Sequence, residues 1–305
     1  MDPIRVGIIG VGYLGMQHAR IASYLEEADL KAVADVDFKK AFEIGNRHGV
    51  KYYRNFEDMF DEIDAGIVST PTSEHHAVSM SLLRAGKHVL VEKPVTETVA
   101  QAEELVALAE ANNLVLQVGH LERFNPAVEA VETILSDPRF IEVQRLGSFS
   151  ARSLDVNVVL DLMIHDLDII LALIKDEVAV IRSSGIHVLS EKIDIANARL
   201  EFKSGCVATL TASRVHQGKV RKLRIFEPTS YYSIDYIDQE VKIFPLSGRQ
   251  TDIKTLKIPK EEPLKKELRN FCACIAEGRR GKVSGQEGLR ALRLAYDVLR
   301  QIETS

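Results

Sequence analysis

The stretch that decides the fold spans residues 4–19 and reads IRVGIIGVGYLGMQHA. Its first half is an apolar run typical of a buried parallel strand, and its second half has the pattern of a helix. Between them, three glycines in the order Gly-x-Gly-x-x-Gly permit a tight turn, a close approach of the backbone to a pyrophosphate, and packing of helix on strand. Because a helix N-terminus offers free N–H groups to an anion, this turn predicts a dinucleotide-binding loop. The predicted loop consists of Gly10, Val11, Gly12, Tyr13, Leu14 and Gly15.

An acidic residue closes the second predicted strand. Asp35 lies in AVADVD, residues 32–37. Its carboxylate can accept hydrogen bonds from both hydroxyls of an adenosine ribose, and it would repel a 2′-phosphate. The sequence therefore predicts NAD as the cofactor. Lys39 and Lys40 lie just downstream, so NADP remains the alternative, and a glycine turn without any ligand is the simplest competing interpretation.

The alternation of patterns along the chain predicts two domains. Residues 1–120 alternate short apolar strands with helices, which indicates an α/β domain with a doubly wound parallel sheet, and the first helix is expected over residues 16–28. From about residue 178 to 258 the apolar residues recur every second position, which indicates an open, mainly antiparallel sheet. The predicted domains are 1–120, a Rossmann domain, and 121–305, an α/β domain for substrate binding and oligomerisation. Packing of the C-terminal helices against the first domain remains open.

Composition excludes several classes of function. The formal net charge of −5 gives no field that attracts nucleic acid or an anionic membrane. The first residues lack the pattern of a secretory signal, and the apolar runs are shorter than a membrane span, so a cytoplasmic protein is expected. Cys206, Cys272 and Cys274 have neither disulfide-like density nor metal-ligand spacing, and we interpret them as small core residues.

A lysine stands at the end of another predicted strand. GKHVLVEKPV, residues 86–95, ends in Glu92-Lys93-Pro94. The proline restricts the preceding residue to an extended backbone. A side chain at the carboxyl end of a central parallel strand points into the crevice where ligands of this fold bind. An ordinary surface lysine is the competing interpretation.

Four polar residues interrupt an apolar stretch in the second half of the chain. VVLDLMIHDLDIILALI, residues 158–174, contains Asp161, His165, Asp166 and Asp168. Helical spacing puts Asp161, His165 and Asp168 on one side and Asp166 elsewhere. Such a polar face is tolerated when it lines a cleft. The alternatives are a core histidine paired with an aspartate, and a divalent metal bound by the three residues on one side.

These motifs together resemble one enzyme family. The glycine loop, Asp35, STPTSEHH at 69–76, AGKHVLVEKP at 85–94 and the closing VSGQEGLRALRLAYDVL are similar to the glucose-fructose oxidoreductase, inositol dehydrogenase and rhizopine catabolism (Gfo/Idh/MocA) family. The resemblance implies a Rossmann domain joined to a domain built on an open sheet. It also implies NAD(P)-dependent oxidation or reduction of sugars and cyclitols, and a homodimer or homotetramer.

The same resemblance assigns roles to residues. The residues implied to line the cofactor site are Thr70, Pro71, Thr72, His75, Glu92 and Lys93, with Glu92 near the nicotinamide ribose. The implied catalytic group consists of Lys93, Asp161 and His165. An imidazole suits the general base, a lysine can stabilise developing alkoxide charge or serve as the base itself, and the aspartate can hold the substrate or orient the pair.

The substrate expectation also comes from resemblance. RFNPAVEAV, DIANARLEF and GCVATLTASR resemble the members that oxidise the 3-hydroxyl of UDP-N-acetylglucosamine, whose product a partner aminotransferase converts towards a lipid A precursor. Asn157 and Val158 stand where the family commonly has a glycine pair, so the substrate loop differs from that of inositol or glucose dehydrogenases. The expected substrate contacts are Arg123 and Asn125, besides the catalytic group, with Arg152, Arg214 and Lys219 as further cations for a diphosphate. A cyclitol or free-sugar dehydrogenase and an NAD-binding regulatory protein are the alternatives.

Overall fold

The structure is a computed structural model that describes residues 2–149, 156–246 and 253–304. It divides into two compact units. The first consists of Met1–Leu121 and Glu262–Arg290, and the second of Glu122–Glu261 and Ala291–Ser305. Residues 262–290 thus lie in the same compact unit as the glycine loop. The functional domain boundary at residue 120 stays a prediction.

A six-stranded, entirely parallel sheet forms the centre of the first unit, as the sequence predicts. Its strands are β1 (Ile4–Ile9), β2 (Ala28–Ala34), β3 (Lys51–Tyr53), β4 (Ala65–Val68), β5 (His88–Glu92) and β6 (Leu116–Gly119), in the order β3-β2-β1-β4-β5-β6. The central strands are buried because apolar residues occupy both of their faces. The chain order reverses between β1 and β4, which is where ligands of doubly wound sheets bind.

Five α-helices lie entirely within the described residues of this unit. They are α1 (Tyr13–Ala22), α2 (Phe38–His48), α3 (Thr72–Arg84), α4 (Val99–Ala111) and α7 (Pro263–Glu277). The prediction of a helix over residues 16–28 was wrong at its end, because α1 stops at Ala22. The Ser23 hydroxyl donates a hydrogen bond to the Arg20 carbonyl, Leu25 enters the core, and Ala28 already pairs with Ile4 in the sheet.

An open, eight-stranded sheet forms the second unit, and it is antiparallel except where β10 runs parallel to β7. Its strands are β7 (Phe140–Leu146), β8 (Val178–Ile186), β9 (Ile195–Phe202), β10 (Val207–Ser213), β11 (Val220–Phe226), β12 (Ser230–Asp235), β13 (Glu240–Pro245) and β14 (Lys254–Thr255). Strand β9 buries Ala196, Ala198, Leu200 and Phe202 while its other residues are more exposed. The predicted mainly antiparallel sheet with one wetter face is confirmed.

The helices α5 (Pro126–Glu132), α6 (Ile164–Ile174) and α8 (Gly285–Glu303) complete the fold. The stretch with four polar residues is not one regular α-helix, because Val159–Met163 forms a π-helical turn that precedes α6. All three cysteines are buried and free, which confirms their interpretation as core residues. In the described part of the chain, every helix is either too short or too polar to cross a membrane.

Candidate active site

The glycine loop joins β1 to α1 in a conformation that requires glycine at two of its positions, Gly10 and Gly15. Gly10 has a φ of +84°, in the left-handed region that favours glycine. A Cβ atom on Gly15 would lie 1.9 Å from the Gly10 carbonyl oxygen, so the helix could not approach the strand with any larger residue. At Gly12 a Cβ would meet nothing within 4 Å. The backbone there is therefore open to a ligand, and α1 begins at Tyr13 without a side-chain cap on its N–H groups.

Asp35 is held beside this loop at the end of β2. Its carboxylate accepts hydrogen bonds from the Val11 N–H at 2.9 Å and from the Asp37 N–H at 2.8 Å. Both bonds fix the position of the carboxylate relative to the phosphate loop. The acid is thus placed next to the loop as a ribose-binding residue of a dinucleotide site requires.

The turn between β4 and α3 contains a buried polar atom that could contact a bound ligand. Thr70 lies against the loop, since a Cβ on Gly10 would be 2.9 Å from the Thr70 nitrogen. The Thr70 hydroxyl is buried and has no hydrogen-bond partner among the described residues. Because buried hydroxyls are rarely left unsatisfied, this atom and the open space at Gly12 together fit a bound dinucleotide. Pro71 and Thr72 follow directly in this turn.

His75 links two segments rather than facing the open loop. Its Nδ1 lies 2.8 Å from the Pro94 carbonyl oxygen and its Nε2 lies 2.9 Å from that of Thr70. Burial lowers the pKa of this imidazole, so the neutral ring donates to only one of the two carbonyls. His75 therefore positions the turn at Thr70 against the segment that follows Lys93.

Glu92 lies in the interior at the end of β5. It is 9% exposed, and its Oε1 lies 2.8 Å from Nε2 of the fully buried His18. Sequence reasoning missed His18, although Gly15, His18, Ala19 and Ala22 follow the helical spacing of a buried face. Lys93, the next residue, is half-buried and is joined to Pro94 by a cis peptide bond.

Two of the four polar residues in the stretch 158–174 belong to buried ion pairs. Asp166 accepts two hydrogen bonds from Arg145, with Nε at 2.7 Å and Nη2 at 2.8 Å. Asp168 lies 3.4 Å from Nη1 of Arg123. All four side chains are nearly inaccessible to solvent. These carboxylates are tolerated in an apolar stretch because each has its own guanidinium.

The other two polar residues of the stretch, Asp161 and His165, are half-buried. Asp161 lies in the π-helical turn and His165 lies in the first turn of α6. The pair thus keeps the accessibility that a substrate contact requires. Lys93 belongs to the first unit whereas Asp161 and His165 belong to the second, and the convergence of the three on one hydroxyl stays a prediction.

The residues expected to bind substrate have contacts of their own within the second unit. Asn125 begins α5, where its side chain accepts a hydrogen bond from the Ala127 N–H and donates one to the Tyr236 carbonyl. Arg123 is the partner of Asp168, and Arg214 lies 2.7 Å from the buried Asp194. Lys219 is exposed, and Arg152 lies outside the described residues. Substrate binding by Arg123 and Asn125 stays a prediction.

Sequence reasoning did not single out two arginines in the sheet of the second unit. Arg145 and Arg221 face the same side as the buried Val143 and Leu223 of their own strands. The period-two pattern of VRKLRIF and FIEVQRL would have placed both on the core side of the sheet.

In the described ranges, no group of three His, Cys, Asp or Glu side chains is arranged to hold a metal ion.

The fold and the glycine loop define the class of NAD-binding Rossmann oxidoreductases, and comparison with known proteins agrees. The family model described as an oxidoreductase family with an NAD-binding Rossmann fold matches residues 4–120. The model of the GFO/IDH/MocA C-terminal domain matches residues 127–227.

Individual relatives extend over the whole chain. UDP-N-acetylglucosamine 3-dehydrogenase of Acidithiobacillus ferrooxidans is 34% identical, over 99% of this chain and 98% of its own length. A solved structure of that enzyme covers 100% of this chain and 99% of its own, with a TM-score of 0.94. Myo-inositol 2-dehydrogenase of Thermotoga maritima is 26% identical, over 98% of this chain and 96% of its own length. The chain belongs to the Gfo/Idh/MocA family; it is an oxidoreductase with NAD as cofactor.

Proposed function

We propose that this oxidoreductase converts the 3-hydroxyl of UDP-N-acetylglucosamine to a ketone. The observation that carries the proposal is the 34% identity, over nearly the full length of both chains, to an enzyme of that name. Myo-inositol 2-dehydrogenase, at 26%, is less similar over a comparable length. A cyclitol or free sugar is therefore the second candidate substrate.

In the proposed reaction, the glycine loop and Asp35 would hold NAD, which would supply the acceptor for the hydride that the sugar carbon loses. His165 removes the hydroxyl proton, because a neutral imidazole can act as a general base and this residue is half-buried rather than fully buried. Lys93 donates a hydrogen bond to the oxygen while negative charge develops on it. Asp161 orients the hydroxyl between them. If Lys93 is the base instead, His165 takes the orienting role.

The proposed product indicates which class of reaction follows. A ketone at C3 is a substrate for amination, so we propose that an aminotransferase consumes it on the way to an amide-linked lipid A precursor. We also propose that the chain works as a homodimer or homotetramer in the cytoplasm. Light scattering of the purified protein measures the assembly, and a monomeric mass would contradict that part of the proposal.

The substrate is tested by NADH absorbance with purified protein and NAD. UDP-N-acetylglucosamine, N-acetylglucosamine, UDP-glucose and myo-inositol are compared, each with an aminotransferase and amino donor present to remove ketone. We expect turnover with UDP-N-acetylglucosamine and little with the other three. Turnover with myo-inositol or with the free sugar alone would reject UDP-N-acetylglucosamine as the specific substrate, and no turnover with any of the four would reject both the proposed substrate and myo-inositol.

The catalytic assignment is tested with His165→Asn and Lys93→Met. Loss of a general acid–base group typically lowers kcat by ~10²- to 10⁴-fold, and we expect a loss of that size from each variant. His216→Asn, which changes an exposed histidine of the second unit, is the matched control and should keep the wild-type rate. A His165→Asn enzyme with the wild-type rate and pH profile would remove His165 from the mechanism.

A further inference from the structure

Two arginines lie directly opposite each other on neighbouring strands of the second unit. Arg221 of β11 is in register with Arg145 of β7. Two steps further along, Leu223 opposes Val143, and both of these are buried. Because side chains alternate along a strand, both guanidinium groups therefore lie on the core side of the sheet. Like charges directly opposite each other destabilise a sheet unless anions balance them.

Arg145 has such anions. Asp166 accepts two of its hydrogen bonds, and Glu122 lies 3.1 Å from its Nη1. Its guanidinium also lies 5.4 Å from the centre of the Tyr236 ring. Two carboxylates thus compensate this one cation.

Arg221 is held differently. Its Nη1 donates hydrogen bonds to the carbonyls of Leu146 at 2.6 Å and Val220 at 3.0 Å. No carboxylate of the described chain forms an ion pair with it, and its side chain is half-buried. Burial, and after it the charge of Arg145, lower the pKa of Arg221, although Asp166, Glu122 and Asp161 act in the opposite direction. The cation is therefore partly desolvated and undercompensated, which is costly unless a ligand supplies negative charge.

A second arginine of the same strand shows the ordinary arrangement. Arg224 lies three residues further along β11, on the opposite face, and its Nη1 is 3.2 Å from Glu142. Those two residues are directly opposite each other in the sheet register. An arginine of β11 can thus have a carboxylate partner on β7, whereas Arg221 forms no such ion pair among the described residues.

We propose that Arg221 binds the diphosphate of the nucleotide-sugar substrate. This rests on the proposed function and names the part of that substrate which the second unit holds. A guanidinium presents a planar fork that matches phosphate oxygens, and its carbonyl contacts fix the orientation of that fork. Asp161, the residue expected to orient the sugar, is among the carboxylates whose charge raises the pKa of Arg221.

The kinetic test compares Arg221→Gln and Arg221→Lys with the wild type, and Arg224→Gln is the matched control. Loss of a charge-assisted hydrogen bond weakens binding by roughly 10- to 100-fold. We expect Arg221→Gln to raise the KM for UDP-N-acetylglucosamine by that factor with kcat reduced less than threefold. Arg221→Lys, which keeps the charge without the fork, should be intermediate, and it supplies the result if the glutamine variant does not fold. A change in KM no larger than that of Arg224→Gln would overturn the proposal.

A binding measurement separates this inference from the proposed function. Inorganic pyrophosphate is titrated calorimetrically into protein saturated with NAD, so that the glycine loop is already occupied. We expect the wild type and Arg224→Gln to bind and Arg221→Gln to lose that binding. If UDP-N-acetylglucosamine is not oxidised but pyrophosphate binding depends on Arg221, only the substrate is wrong. Pyrophosphate binding that is absent, or unchanged in Arg221→Gln, contradicts the anion site itself.

Discussion

At the scale of single residues, we expect Asp35 to decide the choice of cofactor, because its carboxylate is held beside the glycine loop. Replacement by serine removes the negative charge that is expected to repel a 2′-phosphate, and it loses the hydrogen bond from the Val11 N–H to the carboxylate. We expect Asp35→Ser to raise the KM for NAD by ~10- to 100-fold, as for loss of a charged hydrogen bond, and to improve activity with NADP. Steady-state rates with both cofactors measure the change.

Asp37→Asn is the control for this prediction. Asp37 caps α2 two residues away, and its side chain accepts a hydrogen bond from Lys39. We expect it to leave the ratio of NAD to NADP activity unchanged. An Asp35→Ser enzyme that keeps the wild-type ratio would show that another residue excludes the 2′-phosphate.

Asp166 is a residue whose removal should destabilise the fold rather than change the chemistry. Asp166→Asn leaves the Arg145 guanidinium buried with only one of its two carboxylates, and breaking a buried pair in this way costs ~3–5 kcal/mol of unfolding free energy. The control, Asp137→Asn, breaks an exposed pair with Arg139 and should cost at most about 1 kcal/mol. Urea unfolding measures both, and equal losses would contradict the structural role of Asp166.

Local patterns in the sequence are enough to propose half-buried polar residues for the candidate site, but they do not reveal the partners of the buried ones. Asp35, Lys93, Asp161 and His165 stand at ends of strands or on a helix with polar spacing, which are local signals. The partner of Asp166 could not be found in this way, because Arg145 is 21 residues away and meets it through the packing of a helix on a sheet. Such a pairing depends on tertiary packing that no local pattern encodes.

At the scale of elements, α7 carries a buried carboxyl group. Glu267 is fully buried, and neither of its carboxylate oxygens has a hydrogen-bond partner in the described part of the chain. Burial, and after it the charge of Glu92, raise the pKa of Glu267 well above its ordinary value. The folded protein therefore keeps a proton that the unfolded chain releases near pH ~4.3.

This raised pKa makes stability depend on pH. Between the unfolded and folded pKa values, the folded state binds more protons, so unfolding free energy falls as pH rises, by at most ~1.4 kcal/mol per pH unit. Glu267→Gln removes the titration, and we expect its stability relative to wild type to increase from pH 5 to pH 8. Thermal unfolding across that range measures the difference. Glu277→Gln, at the exposed end of the same helix, should run parallel to wild type, and a parallel Glu267→Gln curve would contradict the burial of a neutral carboxyl.

Elements differ in how well their sequence predicts them. The parallel strands, the glycine loop and the alternating strand β9 follow from periodicity and turn chemistry. The end of α1 at Ala22 does not, because SYLEEA keeps helical spacing while Leu25 is drawn into the core. The π-helical turn at Val159–Met163 also escapes prediction, since its residues have no pattern distinct from that of an α-helix.

At the scale of the whole molecule, the chain returns to its first unit near its end. Sequence patterns divide it once, near residue 120, whereas the structure places Glu262–Arg290 with Met1–Leu121. The apolar face of α7 enters the same core cluster as Val6, Ile8 and Leu30. The sequence of the C-terminal helices does not reveal which sheet they cover, because that depends on the path of the chain.

This arrangement makes the stability of the NAD-binding unit depend on a residue more than 200 positions from the glycine loop. Phe271 of α7 is fully buried in that core, so Phe271→Ala should lower the unfolding free energy by ~3–5 kcal/mol. Phe42→Ala, which truncates a phenylalanine that is 46% exposed in the same unit, should cost clearly less.

NAD at 100 times its Kd should restore ~2.7 kcal/mol to either variant, because it binds only the folded unit. Thermal unfolding with and without NAD measures both effects. A Phe271→Ala protein as stable as Phe42→Ala, or one that NAD does not stabilise, would show that α7 is not part of the cofactor-binding unit.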